Sequence, residues 1–367
     1  MSAKKTLTDF IRGNHPDPVI VSPVFSETWP RAMAQLPPDC PQDDPRMLEA
    51  KLHWAEEAGF PPVIKYETNS LDLITKQQEI VEQSPGRTVI RFRHETSRGP
   101  YGWISTYTPQ SSHSVMDPPL PTGEVVQRQR AMYEELADFS RFRAKLGQLL
   151  AAIGERGLLC VNIGHPFWKT HFDQTELMLL LFDEPDLIRE TISFYEQFLK
   201  QMIAAACAEG VICFFASQIS RNMISPAMVQ EYIVPSARTL SDYCRARNAI
   251  YYLHDCGKMR THIEQGLFND MAPDWLEGLE PPPTGDITDL QDARVRLSPS
   301  ITIKGSLSID WLRRATPRQI EGETVTMLEN VKGHRHIVGS ACSLLPGTPI
   351  ENIQAMSTGV QRYLGRS

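Results

Sequence analysis

The 367-residue sequence contains no long apolar run: uninterrupted apolar stretches such as Leu177 to Phe182 fall far short of the ~20 residues that cross a bilayer. A membrane-spanning helix is therefore not expected. Positive charge is not in excess either, because 37 Lys+Arg against 44 Asp+Glu leave a net charge of −7. That balance speaks against a polyanion-binding stripe and against nucleic acid as a partner. No GxGxxG or GxxxxGK fingerprint follows the first strand-like run, so the backbone cradles of dinucleotide and P-loop folds are missing. Internal repeats and low-complexity tracts are lacking too. Lys4, Lys5 and Arg12 are followed by neither an apolar h-region nor a small-residue cleavage site, from which a cytoplasmic address is expected. The seven cysteines form an odd, scattered set, mostly in apolar surroundings such as LLCVN and VICFF. They read as small core residues rather than a disulfide framework, with Cys256 and Cys342 alone in unusual local sequence.

What is present changes character along the chain. The first third is proline-rich (PPDCPQDDP, FPPVI, MDPPLP), which breaks long helices and suggests loops laid over a scaffold. Within it, residues 88–96 and 103–108 are β-rich and separated by Gly and Pro, predicting a hairpin inside an excursion spanning 86–123. From residue 124 onward, amphipathic helices alternate with short apolar strands. Over 186–208, apolar residues recur at Ile188, Ile192, Tyr195, Leu199, Met202 and Ala206, one stripe on one helical face. Strand-like runs begin at Val19, Leu158, Val211, Ile250, Trp275, Ile301 and His336, with an eighth at Pro62 to Tyr66. Each precedes helical sequence, the rhythm of a parallel sheet. Their count and the chain length predict an α/β fold, a single-domain (β/α)8 TIM barrel over 1–367 with N-terminal helical and hairpin insertions.

In such a barrel the reacting groups sit where strands end. Reading those ends gives Ser26-Glu27, His165, Ser217-Gln218, His254-Asp255-Cys256, Glu280, Ser306 and Cys342. His254 and Cys256, one residue apart on an extended chain, project to the same side, and Cys342 arrives from the last strand. Two thiolates and an imidazole suit Zn²⁺, and three protein ligands leave a fourth position open, as in catalytic zinc. Spacing alone leaves metal binding and ordinary burial both open, since buried cysteines and satisfied histidines are common. Phe167, Trp168, Tyr251, Tyr252, Trp29 and Trp103 lie in or near these segments and offer either apolar pocket walls or plain core.

At these residues the chain resembles the uroporphyrinogen decarboxylase superfamily, and within it the zinc-dependent, cobamide-linked methyltransferases. The likeness runs from about Pro16 to Leu364 and is best in LLFDEPDL (180–187), ISPAMVQEYIVP (224–235), LHDCG (253–257), KGSL (304–307) and IVGSACSLLPGTPIENIQAM (337–356). Decarboxylase members resemble one another in an arginine-rich segment after the first strand and a carboxylate after the fourth. Here those positions read VSPVFSETWPRAM and FFASQ, with Ala216 where an aspartate is expected. The resemblance to the methyltransferases instead implies zinc on His254, Cys256 and Cys342, and a methyl group moved between a small substrate and a corrinoid (cobalamin-type) cofactor carried by a partner protein. An O-methyl aromatic is favoured, which would make the protein a demethylase component; S- and N-methyl compounds stay open. His165 and Glu280 are the expected catalytic residues, and Gln218, Ser217, Trp168 and Tyr252 the expected substrate contacts. Glu280 and Gln218 are also candidates for the fourth zinc position. The competing readings are a decarboxylase of the uroporphyrinogen type and a non-catalytic corrinoid-binding barrel. Neither the direction of transfer nor homodimer formation is legible.

Overall fold

Short runs of β-branched and aromatic residues between turn-forming Gly and Pro become strands once both faces are covered, and the computed structural model shows eight of them in one parallel sheet. It describes residues 1–37, 40, 42, 44–67, 77–108, 112–169, 174–217 and 223–366. In chain order the sheet strands are β1 (Val19–Val21), β2 (Val63–Glu67), β7 (Leu158–Asn162), β8 (Cys213–Ser217), β9 (Ile250–Asp255), β10 (Trp275–Gly278), β11 (Thr302–Lys304) and β12 (His336–Val338). The hydrogen-bonded order is β1-β12-β11-β10-β9-β8-β7-β2, every pair parallel. Across the seam between β1 and β2, Ser22 Oγ donates to Pro61 O at 3.0 Å. These are the eight runs expected from sequence, and the fold is the expected α/β barrel.

By contacts the chain divides into two compact units: 1–67 with 146–165 and 207–367, and 68–145 with 166–206. The first holds the barrel. Alternation along its strands sends Ile20, Val63, Leu158, Cys213, Ile250 and Trp275 into one buried cluster, to which the helix Ala3–Ile11 contributes Leu7, Phe10 and Ile11. A second cluster clothes the sheet on the helix side, where Pro317–Asn330 supplies Ile320, Met327 and Leu328, and Ile350–Tyr363 supplies Ile353, Met356 and Val360. The former helix starts in a capping box, Thr316 accepting from Gln319 N while Gln319 reaches back to Thr316 N, which satisfies two otherwise orphaned donors.

The second unit carries the excursion. Its sheet is four-stranded and antiparallel, β3 (Gln77–Ser84), β4 (Arg87–His94), β5 (Tyr101–Tyr107) and β6 (Ser112–Met116). The predicted hairpin is thus its central pair. Pro185–Ala208 forms the long helix foreseen over 186–208, in this unit as far as Ala206, and buries the Ile188, Tyr195, Leu199, Met202 and Ala206 stripe. Tyr195 meets Tyr133 edge-on, with ring centroids 5.6 Å apart. Among the described residues no helix is long and apolar enough to cross a membrane.

Candidate metal centre

Strand β9 is buried along its whole length, and the inward members of its alternation are Ile250, Tyr252 and His254. Just beyond it the chain bends at Gly257 (φ 90°), a left-handed conformation that glycine adopts without steric cost. The following loop is fixed by Asp286, whose Oδ1 accepts from Met259 N at 2.9 Å and Arg260 N at 3.0 Å. Cys256 is held at this bend. From the opposite side, the loop after β12 is pinned twice: Val24 N donates to Ser340 Oγ at 3.0 Å, and Ala341 N to Leu307 O at 2.8 Å. Those bonds deliver Cys342.

The ligating atoms of His254, Cys256 and Cys342 all lie within 4.8 Å of one another, and among the described residues theirs is the only such cluster of three. Cys342 Sγ is 3.9 Å from His254 Nε2. Zn–S and Zn–N bonds of ordinary length make tetrahedral edges of about 3.5–3.8 Å, so these donors surround a zinc-sized volume with only small side-chain rotations. The residues present fit that ion. Without metal the trio organises as a charge pair. A hydrogen bond from Cys256 draws the Cys342 thiol down to about 4 against the opposing effect of burial, with His254 helping. The Cys256 thiol is raised by that same bond and by burial. Burial would depress His254, but its bonds to Cys342 and Glu277 carry it up to about 9.

Beneath the trio lies a charged layer that the strand-end reading missed. Glu277, fully buried on β10 and in register with His254, accepts a hydrogen bond from His254 Nδ1 on Oε1 at 2.7 Å. Lys65 Nζ donates to the same oxygen at 3.1 Å, and Lys304 Nζ lies 2.9 Å from Oε2, at an angle that makes an ion pair rather than a hydrogen bond. Against the upward push of burial, Lys304, Lys65 and His254 hold the Glu277 carboxyl well below its ordinary range. The signal was in the sequence: Lys65, Glu277 and Lys304 are charged residues inside short, otherwise apolar strands, where charges occur only when paired.

The other expected site residues fall in different places. Glu280 is mostly buried at the β10 end, and its Oε2 accepts from Gly257 N at 3.3 Å. Burial and the Cys342 charge raise its pKa. It reaches the metal loop because Gly278 (φ +125°) lets β10 approach so closely that a Cβ there would lie 1.9 Å from Asp255 O. His165 is 1% exposed, its Nε2 3.1 Å from Ser236 Oγ, and burial lowers its pKa to about 3, so it is neutral. Tyr252 is fully buried and stacked on Trp275, centroids 4.2 Å apart at 14°; it belongs to the wall below the metal trio. Trp168 lies in the second unit, edge-on to Phe167 at 4.6 Å. Ser217 ends β8 in register with His254; Gln218 lies outside the described residues. Trp29 is core, its Nε1 donating to Thr348 O at 2.8 Å. Trp103 stacks on Phe92 within the four-stranded sheet. A cleft of about 340 Å³ lined by Pro281, Ile287, Ser306, Trp311 and Met327 shares none of the three metal candidates.

Comparison with known proteins places these features in context. Residues 168–363, more than half of the chain, match the family model for uroporphyrinogen decarboxylase (URO-D). Among curated relatives, a uroporphyrinogen decarboxylase of Prochlorococcus marinus (strain NATL1A) is 21% identical over 221 residues, 56% of this chain and 59% of that protein. A methylated-thiol–coenzyme M methyltransferase of Methanosarcina mazei is 25% identical over 171 residues, 44% of this chain and 41% of that protein. The chain thus spans about three fifths of the decarboxylase's length and two fifths of the methyltransferase's. A solved structure described as a methyltransferase from Methanosarcina mazei superposes with a TM-score of 0.69 at 15% identity, covering 99% of both chains. At that identity the likeness is one of fold.

Proposed function

Because the chain belongs to the uroporphyrinogen decarboxylase family, we propose that it is a zinc-dependent methyltransferase of that family. In this reading it moves a methyl group between a small methylated compound and a corrinoid cofactor borne by a partner protein. The observation that carries the proposal is the convergence of His254, Cys256 and Cys342 around one zinc-sized volume at the strand ends. A metal bound there would supply Lewis acidity, polarising the heteroatom that gives or receives the methyl group. Each residue then has a task. Cys342 and Cys256 offer soft donors, the first already drawn toward thiolate. His254 presents Nε2, because Nδ1 is committed to Glu277. Glu280, its proton retained to higher pH by burial and the Cys342 charge, gives or takes a proton at the substrate heteroatom, or closes the fourth position between turnovers. Neutral His165 on Ser236 orients the loop after β7. Ser217, Gln218 and Tyr252 remain the proposed substrate contacts and walls, with an O-methyl aromatic as the favoured substrate and S- and N-methyl compounds behind it. Reduced cysteines such as Cys160, Cys213 and Cys244 suit a reducing compartment, the cytoplasm.

A decarboxylase is the weaker reading. The segment 22–34 after β1 holds a single arginine, Arg31, whose guanidinium donates to Cys40 O at 3.0 Å, so no cluster of cations awaits substrate carboxylates. Metal analysis of the native protein with Cys256→Ser and Cys342→Ser, alongside a spectral assay of corrinoid methylation across methoxyarenes, methylamines and thiols, tests the proposal. Native protein is expected to carry about one zinc per chain, and both variants to lose metal and methyl transfer together. Zinc retained at full stoichiometry in both variants would overturn it.

A further inference from the structure

We infer that Glu277, clamped by Lys65 and Lys304, is the positioning residue of the metal site: it fixes His254 in the tautomer and orientation that present Nε2 to the ion. The inference rests on the zinc reading above and deepens it. A carboxylate can only accept, so the 2.7 Å contact keeps a proton on Nδ1 and makes Nε2 the nitrogen whose lone pair is offered when a metal binds. Nε2 is the nitrogen that faces Cys342. Carboxylates bonded to the far nitrogen of a ligating histidine are a general device for raising its basicity and fixing its ring.

The device works only if Glu277 stays ionised and still, and the two lysines see to that. Both lie in the barrel interior, Lys304 fully buried and Lys65 nearly so, and one ammonium addresses each carboxylate oxygen. Lys65 is further held over the Phe215 ring, 4.1 Å from its centroid, and Lys304 stands 5.0 Å from the Trp275 centroid. With both oxygens so engaged, Glu277 cannot swing upward to replace His254 as a ligand. A buried carboxylate flanked by two ammoniums is costly to assemble and is weak evidence for stability; its direct bond to the one imidazole of the metal trio supplies the purpose.

The test compares zinc affinity, by chelator competition, in the native protein and in two double variants, E277Q/K304M and E277L/K304M. Replacing Lys304 along with Glu277 removes one charge of each sign, so the net charge of the layer is unchanged. Glutamine keeps an acceptor for Nδ1–H and leucine does not. Affinity should fall by about 10–100-fold in the leucine variant and be largely restored in the glutamine variant, although both zinc-free variants leave Lys65 without its carboxylate and melt alike. A purely structural role would leave the two variants equal in zinc affinity; that result overturns the inference. A measurement on the native protein needs no variant. In ¹⁵N-histidine-labelled, zinc-loaded enzyme, His254 should show a protonated Nδ1 and a metal-bound Nε2, and a metal-bound Nδ1 would overturn the assignment. Native protein that takes up no zinc removes the proposed function and this inference together, whereas zinc binding indifferent to both variants removes the inference alone.

Discussion

At the floor of the barrel Val63, Tyr252, Trp275 and Ile250 pack with Leu7, Phe10 and Ile11 of the first helix, whereas two residues further along the same strands stand Lys65, His254 and Glu277, joined by Lys304 from β11. One step of the β alternation separates a layer that excludes water from a layer of charges. The floor is interchangeable in kind: any apolar set of the right volume contributes to it. The charged layer is not, because each of its members is tolerable only while the others remain. Stability therefore comes from below and chemistry is arranged above, in one barrel interior.

Breaking the floor should have the largest effect on stability. Phe10 is fully buried, and Phe10→Ala leaves a cavity between the first helix and the barrel. The expected loss is about 3–5 kcal/mol of unfolding free energy, measured by urea denaturation. Zinc stoichiometry at saturating metal should stay at the native value in the fraction that remains folded.

Turning the charged layer into more floor sharpens the contrast from the other side. Replacing all three charges at once, Lys65→Met, Glu277→Leu and Lys304→Met, removes the desolvation cost together with the attraction. Exchange of a buried ion triad for apolar residues of similar volume is typically neutral or stabilising by about 1–4 kcal/mol. The zinc-free variant should therefore be at least as resistant to urea as the native protein while it binds zinc more weakly. A variant both destabilised and undiminished in zinc affinity would mean that the layer serves the fold and not the site.

How much of this was legible follows the same division. The eight parallel strands could be read because parallel strands are buried on both faces and write themselves as short apolar runs. The outer strand β3, QQEIVEQS, is exposed at every position, so no burial pattern marked it, and only the central hairpin of the four-stranded sheet was foreseen. The convergence of His254, Cys256 and Cys342 was legible because strand ends locate the rim and His-x-Cys projects to one side. Glu277 was not, because it stands in the interior of its strand, three residues before Glu280. The stacking of Tyr252 on Trp275 was not legible, because the sequence shows an aromatic near His254 but not the ring packed beneath it. A rule that asks which partner neutralises each charge inside an apolar strand would have found Lys65, Glu277 and Lys304 together.

The smallest predicted effect is a slope, and it separates two kinds of buried histidine. His336 is fully buried, with Nε2 2.5 Å from Gly305 O; burial lowers its pKa to about 4. His254 is almost as buried, yet Cys342 and Glu277 raise it to about 9. For His336 the unfolded chain takes up a proton below about 6.5 that the folded chain refuses. Stability is therefore present in full above that pH and is lost as pH falls toward 4. For His254 both states are protonated below 6.5, so its contribution there is constant; it declines only as pH rises from 6.5 through 9, where the growing contribution of the Cys342 thiolate offsets it. In metal-free protein, His336→Asn should flatten the dependence of unfolding free energy on pH between about 6 and 4.5 by up to about 1.4 kcal/mol per pH unit, one proton's worth. His254→Asn lacks that direct effect, since the proton it removes is bound in both states across that range. A His336→Asn variant whose slope matches that of the native protein would mean that the folded chain takes up the His336 proton as readily as the unfolded one.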